Sequence, residues 1–189
     1  MMRFKAVALH FTVILMAVLG ATRLAAAETI QLVGFGDSLM AGYQLPQEDA
    51  LPAQLQRALV AKGHDVVITN AGVSGDTTSG GLSRVDWSVP DGTDAVILEL
   101  GANDALRGIA PEQSEKNLDQ IISRLKSRQI PILLVGVLAP PNMGADYGDK
   151  FNAIYPRLAE KYALPLYPFI LDGVITDRSL LLEDGMHPN

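Results

Sequence analysis

The chain has 189 residues, 48% hydrophobic, 19% charged and 6% aromatic, with no cysteine and a formal net charge of −6. A chain of this size and balance builds a single core, and its composition excludes a disordered or collagen-like polypeptide. The lack of cysteine excludes disulfides, zinc–thiolate sites, a thiol nucleophile and a lipidated N-terminal Cys, while the acidic balance argues against nucleic acid as a partner.

Residues 1–27 read as a cleavable export signal. Arg3 and Lys5 form a positive start, an apolar run follows over 6–20, and Ala25, Ala26 and Ala27 offer the small side chains of a cleavage site. The run is short for a membrane span of about 20 residues. The expectation is cleavage after Ala27, a periplasmic or secreted protein with no stable membrane anchor, and a domain over 28–189. Every acid lies beyond the leader, so the remaining chain is more acidic than the whole.

From residue 29 short apolar runs alternate with helical patterns. Strands are expected at 29–35, 66–69, 95–100 and 130–137, each nearly continuous in apolar residues as befits strands covered on both faces. A fifth is expected at 164–170, interrupted by Pro165 and Pro168. Helices are expected at 51–62, with Asp49 as N-cap and Gly63 as stop, and at 111–128, with Pro in the first turn. A further helix at 146–162 is expected to bend at Pro156, and Thr77 is placed to cap a helix after the second strand. Such alternation predicts an α/β fold with a mostly parallel five-stranded sheet and helices on both faces. Its ligands then bind beyond the carboxyl ends of the strands.

The loops at those ends carry the chemistry. Gly34-Phe35-Gly36-Asp37-Ser38-Leu39 follows the first strand, and its glycines permit a sharp turn that exposes Ser38 where a helix begins. It is neither a dinucleotide fingerprint, because Leu39 replaces the third Gly, nor the G-x-S-x-G elbow, because Met40 replaces the second. Gly72 and Gly75 after the second strand make a backbone segment able to present an N–H to a ligand. After the third strand, Asn103 of Gly101-Ala102-Asn103-Asp104 can donate an uncharged amide to an oxyanion. Each of these segments read alone is equally an ordinary turn. Near the far end Asp184 precedes His187 by three residues, close enough to hydrogen-bond the imidazole and set its tautomer. His64 follows a helix-stopping Gly and reads as a solvated loop residue. With His64 and His187 as the only histidines beyond the leader, and no clustered ligand spacing, no metal site is expected.

Taken in order, Gly36-Asp37-Ser38-Leu39, Gly75, Gly101-x-Asn103-Asp104 and Asp184-x-x-His187 resemble the sequence blocks of the SGNH hydrolases, also called GDSL esterases and lipases. The resemblance spans about 29–189 and is nearest the periplasmic bacterial branch with thioesterase, arylesterase and lysophospholipase activities. It implies a three-layer α/β/α flavodoxin-like fold and a serine hydrolase acting through an acyl-enzyme without a cofactor. Ser38 is then the nucleophile, His187 the general base and Asp184 its orienting partner. The oxyanion hole is then the N–H groups of Ser38 and Gly75 with the Asn103 side chain, and Gly75 is preferred to Gly72 because the family's block ends in Gly-Asp. Asp104 is given a structural role.

The implied partners are small acyl esters, thioesters or lysophospholipids. Relatives usually continue beyond the Asp-x-x-His block, so the resemblance implies a domain lacking its last C-terminal helix. Selectivity is expected from the loop 138–147, with Leu138, Met143 and Tyr147 as apolar substrate contacts. Two other readings stand beside this one: a carbohydrate O-deacetylase on the same scaffold, and a noncatalytic small-ligand-binding protein.

Overall fold

The computed structural model describes residues 28–189, and the export signal expected over 1–27 lies outside the described residues. Five parallel strands form one sheet in the order β2-β1-β3-β4-β5: β1 Ile30–Gly36, β2 Val66–Gly72, β3 Ala95–Glu99, β4 Ile132–Val135 and β5 Leu166–Tyr167. The crossovers carry α1 Ser38–Ala41, α2 Leu51–Ala61, α3 Thr78–Ser88, α4 Ala102–Leu106, α5 Pro111–Ser127, α6 Ala145–Asn152 and α7 Ile154–Tyr162. No helix among the described residues is long and apolar enough to cross a membrane.

Alternation along β1 shows how both faces are covered. Val33 and Phe35 point into the main core with Val85 of α3, Leu118, Ile121, Ile122 and Leu125 of α5, and Phe151 and Tyr155 from α6 and α7. Gly34 faces the other way, where a Cβ would sit 2.7 Å from the Met40 Sδ and 3.2 Å from Pro52. Only glycine lets α1 and α2 approach the sheet this closely. Because all strands run parallel, their carboxyl ends collect the loops after β1, β2, β3 and β4 on one edge.

Several expectations change in detail. The helix at 51 is preceded by Ala50 at the N-cap, with Asp49 inside a short 3₁₀ turn, Gln47–Asp49. Asp49 instead accepts a bond from the Gln54 amide at 3.3 Å. The helix expected at 146–162 is two helices broken at Ala153, not one bent at Pro156. The proline causes this indirectly. Its ring excludes a bond to the carbonyl of Asn152, so the chain restarts before it and Pro156 falls in a first turn that needs no such bond. β4 and β5 are shorter than expected, β5 being confined between Pro165 and Pro168, whereas β2 extends to Gly72 in register with Gly36. The Gly101–Asp104 turn opens into the short helix α4. The Thr77 cap is present, its hydroxyl accepting from Gly80 N at 3.3 Å.

Candidate active site

Ser38 begins α1 immediately after β1, and Asp37 caps that turn by accepting the Leu39 N–H at 3.1 Å. Buried Met40 pins the turn to the sheet, and left-handed Gly42 ends it. Ser38 Oγ lies 2.8 Å from His187 Nε2, and His187 Nδ1 lies 2.6 Å from Asp184 Oδ2. The other Asp184 oxygen accepts the backbone N–H groups of Met186 at 2.8 Å and His187 at 3.1 Å. Those two backbone bonds, then the bond to the His187 side chain, hold the Asp184 carboxyl down to about 2. An ionised Asp184 accepts the Nδ1 proton, which leaves Nε2 as an acceptor facing the Ser38 hydroxyl. The loop is closed by Leu182 N donating to His187 O at 2.8 Å and by Arg178, which donates to the Glu183 carbonyl.

Beside this chain of bonds lie two further loops. Gly75 turns the segment after β2 with φ of +84°, and Arg107 donates to its carbonyl at 2.8 Å. Asn103 Nδ2 donates to the Asp76 carbonyl at 2.9 Å and makes a longer contact, 3.4 Å, with Asp37 Oδ2. Asp104 turns away. Its buried carboxylate accepts Thr78 N at 2.8 Å, the Thr78 hydroxyl at 2.6 Å and the Ser114 hydroxyl at 2.9 Å, which joins α3, α4 and α5.

Three residues were not singled out by the motifs. Buried Arg84 pairs with Asp76 at 2.6 Å and donates to the Ala71 carbonyl at 2.8 Å and the Gly36 carbonyl at 2.9 Å, its guanidinium lying over the Phe35 ring. One side chain thereby ties the ends of β1 and β2 to the Gly75–Asp76 loop. Glu99, fully buried at the end of β3, accepts the Asp37 N–H at 3.3 Å through one oxygen, and its other oxygen has no partner among the described residues. Burial, then the neighbouring Asp37, pushes the Glu99 carboxyl well up. Burial likewise pushes Asp37 up to about 6, against the opposing pull of the Leu39 N–H and His187. A carboxyl inside the apolar run of β3 was the available signal for Glu99. The third, Tyr43, packs its ring on His187.

Ser38 and His187 open onto a cavity of about 770 Å³ walled chiefly by apolar side chains, among them Leu106, Val137, Leu138, Pro140, Ile170, Ile175 and Met186. Of the three expected loop contacts, Leu138 lines it and Met143 and Tyr147 do not. Tyr147 instead donates its hydroxyl to the Ile109 carbonyl at 2.8 Å and stacks on Phe151, and half-buried Met143 reaches toward Gly108. Tyr147 on α6 and Met143 in the 3₁₀ turn before it, Pro141–Met143, both approach the α4–α5 connection. Phe169, Ile170 and Leu171 form a wall no motif announced. Exposed His64 precedes β2, at the opposite edge of the sheet. Among the described residues no group of three or more His, Asp or Glu side chains could hold a metal.

A model of the GDSL-like Lipase/Acylhydrolase family matches residues 35–189. The chain is 43% identical over 159 residues to an arylesterase of Vibrio mimicus, covering 84% of this chain and 80% of that protein. It is 38% identical over 190 residues to "Thioesterase 1/protease 1/lysophospholipase L1" of Escherichia coli K12, covering 100% of this chain and 89% of that one. In structure it is similar to AlinE4, an SGNH-hydrolase family esterase, with TM-score 0.81, 47% identity, and coverage of 86% of this chain and 87% of that chain. The structure of TesA follows with TM-score 0.79, 36% identity, and coverage of 84% of this chain and 89% of that one.

Proposed function

The chain belongs to the GDSL-like lipase/acylhydrolase family and is an SGNH ester hydrolase; from that premise we propose that it cleaves acyl esters through an acyl-enzyme on Ser38. The observation that carries this reading is the unbroken series of hydrogen bonds from Asp184 to His187 to Ser38 at the mouth of an apolar cavity. His187 Nε2 takes the Ser38 proton as Oγ attacks the acyl carbon, and ionised Asp184 stabilises the imidazolium. The oxyanion forms beside the N–H groups of Ser38 and Gly75 and the Asn103 amide. Asn103 has one N–H committed to the Asp76 carbonyl, and its second, engaged only by the 3.4 Å contact to Asp37, is the one available to the oxyanion. His187 then protonates the leaving alcohol or thiol, and water repeats the cycle on the acyl-enzyme.

The apolar lining favours acyl or aryl groups over sugars, and the relatives named above act on aryl esters, thioesters or lysophospholipids. The leader pattern over 1–27 supports export and a hydrolase domain over 28–189, which the mass of the mature protein from the periplasm or medium would test.

The function is tested by labelling with an organophosphonate and by hydrolysis of esters and thioesters of graded chain length. We expect one label on Ser38. Ser38→Ala loses it, with a fall in kcat of about 10⁶-fold and an unchanged melting temperature. Retention of a tenth of the activity in Ser38→Ala would discard the assignment. Faster release of acetate from acetylated sugars than of medium-chain acyl groups would favour the deacetylase reading.

A further inference from the structure

Tyr43 directly follows the left-handed Gly42 that ends α1. Its backbone N–H and that of Gly42 both donate to the Ser38 carbonyl, each at 3.2 Å. The residue is thus tied to the turn that carries the serine. Its ring reaches across to the loop 184–189, where its centroid lies 4.5 Å from that of the His187 imidazole with the planes inclined by 37°. Tyr43 is 38% exposed and lines the cavity, so this contact stands at the mouth of the site rather than in the core.

Two hydrogen bonds hold the imidazole, one at each nitrogen. Both act at the ring edge, in the plane of the imidazole, so resistance to tilting out of that plane falls to the Cβ attachment and to whatever packs on the ring faces. Among the described residues, Tyr43 is the aromatic ring that supplies such a face. An aromatic face also attracts a cation, and the imidazole becomes one at the moment Ser38 attacks. The titratable groups near the imidazole are Asp184 on its own loop and Asp37 at the β1–α1 junction, with Arg178 donating to the backbone carbonyl of Glu183 further along the loop. Tyr43 faces the ring without a formal charge, so replacing it alters the support of the imidazolium and leaves every carboxylate in place.

We propose that Tyr43 is a positioning residue for hydrolysis, its ring face holding the His187 imidazole in the plane that reaches Ser38 and stabilising the imidazolium formed there. The inference rests on the triad reading above. Its chemistry requires an aromatic ring at this position and no hydroxyl, since the Tyr43 hydroxyl has no hydrogen bond among the described residues.

The test compares Tyr43→Phe and Tyr43→Leu with the unaltered protein. Measurements are kcat and KM from pH 5 to 9, and the His187 ring resonances followed by NMR over the same range. Tyr43→Phe should keep kcat within about twofold, because the face is retained. Tyr43→Leu should lower kcat roughly tenfold, with a much smaller change in KM. It should also move the acidic limb of the pH–kcat/KM profile down by about half a pH unit, as loss of a weak cation–π contact requires. The NMR titration reads His187 separately from Asp37, and the ring-current displacement of the His187 signals should persist in Tyr43→Phe and vanish in Tyr43→Leu. A Tyr43→Leu protein with normal kcat, an unmoved acidic limb and only a raised KM would make Tyr43 a cavity wall and overturn the inference. So would a Tyr43→Phe protein as impaired as Tyr43→Leu. An unaltered protein that takes no phosphonate on Ser38 would instead overturn the triad reading, which separates the two failures.

Discussion

The side-chain amide of Asn103 donates to the backbone carbonyl of Asp76 at 2.9 Å, across 27 residues of sequence, and this bond fixes where the amide points. The loop after β3 is thereby aimed by the loop after β2. Asn103→Ala removes a donor that acts mainly as charge develops on the substrate oxygen. We expect kcat to fall about 10²–10³-fold with little change in KM. Steady-state kinetics with a melting curve check this, and a destabilised variant with normal kcat would leave Ser38 and Gly75 as the donors.

Asp104, the adjacent residue, should behave in the opposite way. Its carboxylate accepts three hydrogen bonds inside the protein, and Asp104→Ala leaves Thr78 and Ser114 donors unpaired. The expected loss is on the order of 2–3 kcal/mol of stability, read in urea, with activity per folded molecule retained.

The two histidines should separate cleanly. His187→Gln should lower kcat by about 10⁴-fold or more, and His64→Gln should leave the rate unchanged, since His64 is exposed at the far edge of the sheet. Loss of activity in His64→Gln alone would reverse the assignment.

Arg84 offers a test of stability. Arg84→Met leaves the Asp76 carboxylate and the Gly36 and Ala71 carbonyls without their buried donor. Breaking such a pair costs about 3–5 kcal/mol, which should lower the melting temperature by roughly 10 °C. A change of only about 2 °C by differential scanning calorimetry would show that solvent replaces the guanidinium.

Asp37 gives the fold a pH dependence of definite sign. Its carboxyl is raised from 3.8 to about 6 by burial, so between those values the unfolded chain ionises while the folded one stays protonated. Its contribution to stability is therefore complete below about pH 4 and lost as pH rises through 6. Asp37→Asn removes that loss, and its stability relative to the parent should be more favourable at pH 7.5 than at pH 3.5, by on the order of 3 kcal/mol. Asp184, held near 2, acts in the opposite sense, stabilising above about pH 4 and ceasing to as pH falls through 2. It is common to both proteins and cancels in the difference. An equal difference at both pH values would mean that folding leaves the Asp37 carboxyl unshifted.

Much of this molecule is determined by its sequence alone. Apolar runs with helical patterns between them dictate a parallel sheet, because a strand covered on both faces has no polar side to show. Asp184 and His187 are three residues apart, so their pairing is a local property of one loop. Proline boundaries were legible in kind and wrong in place, as Pro156 shows by breaking the helix before itself. Tertiary structure alone decided that Tyr147 turns inward to Ile109, that Glu99 meets Asp37 across 62 residues, and that Arg84 reaches Gly36 across 48. It also brought His187 to Ser38 across 149 residues. These meetings depend on the register of parallel strands and the lengths of their crossovers. Local periodicity carries neither, because it records which face a residue takes and not what stands opposite it.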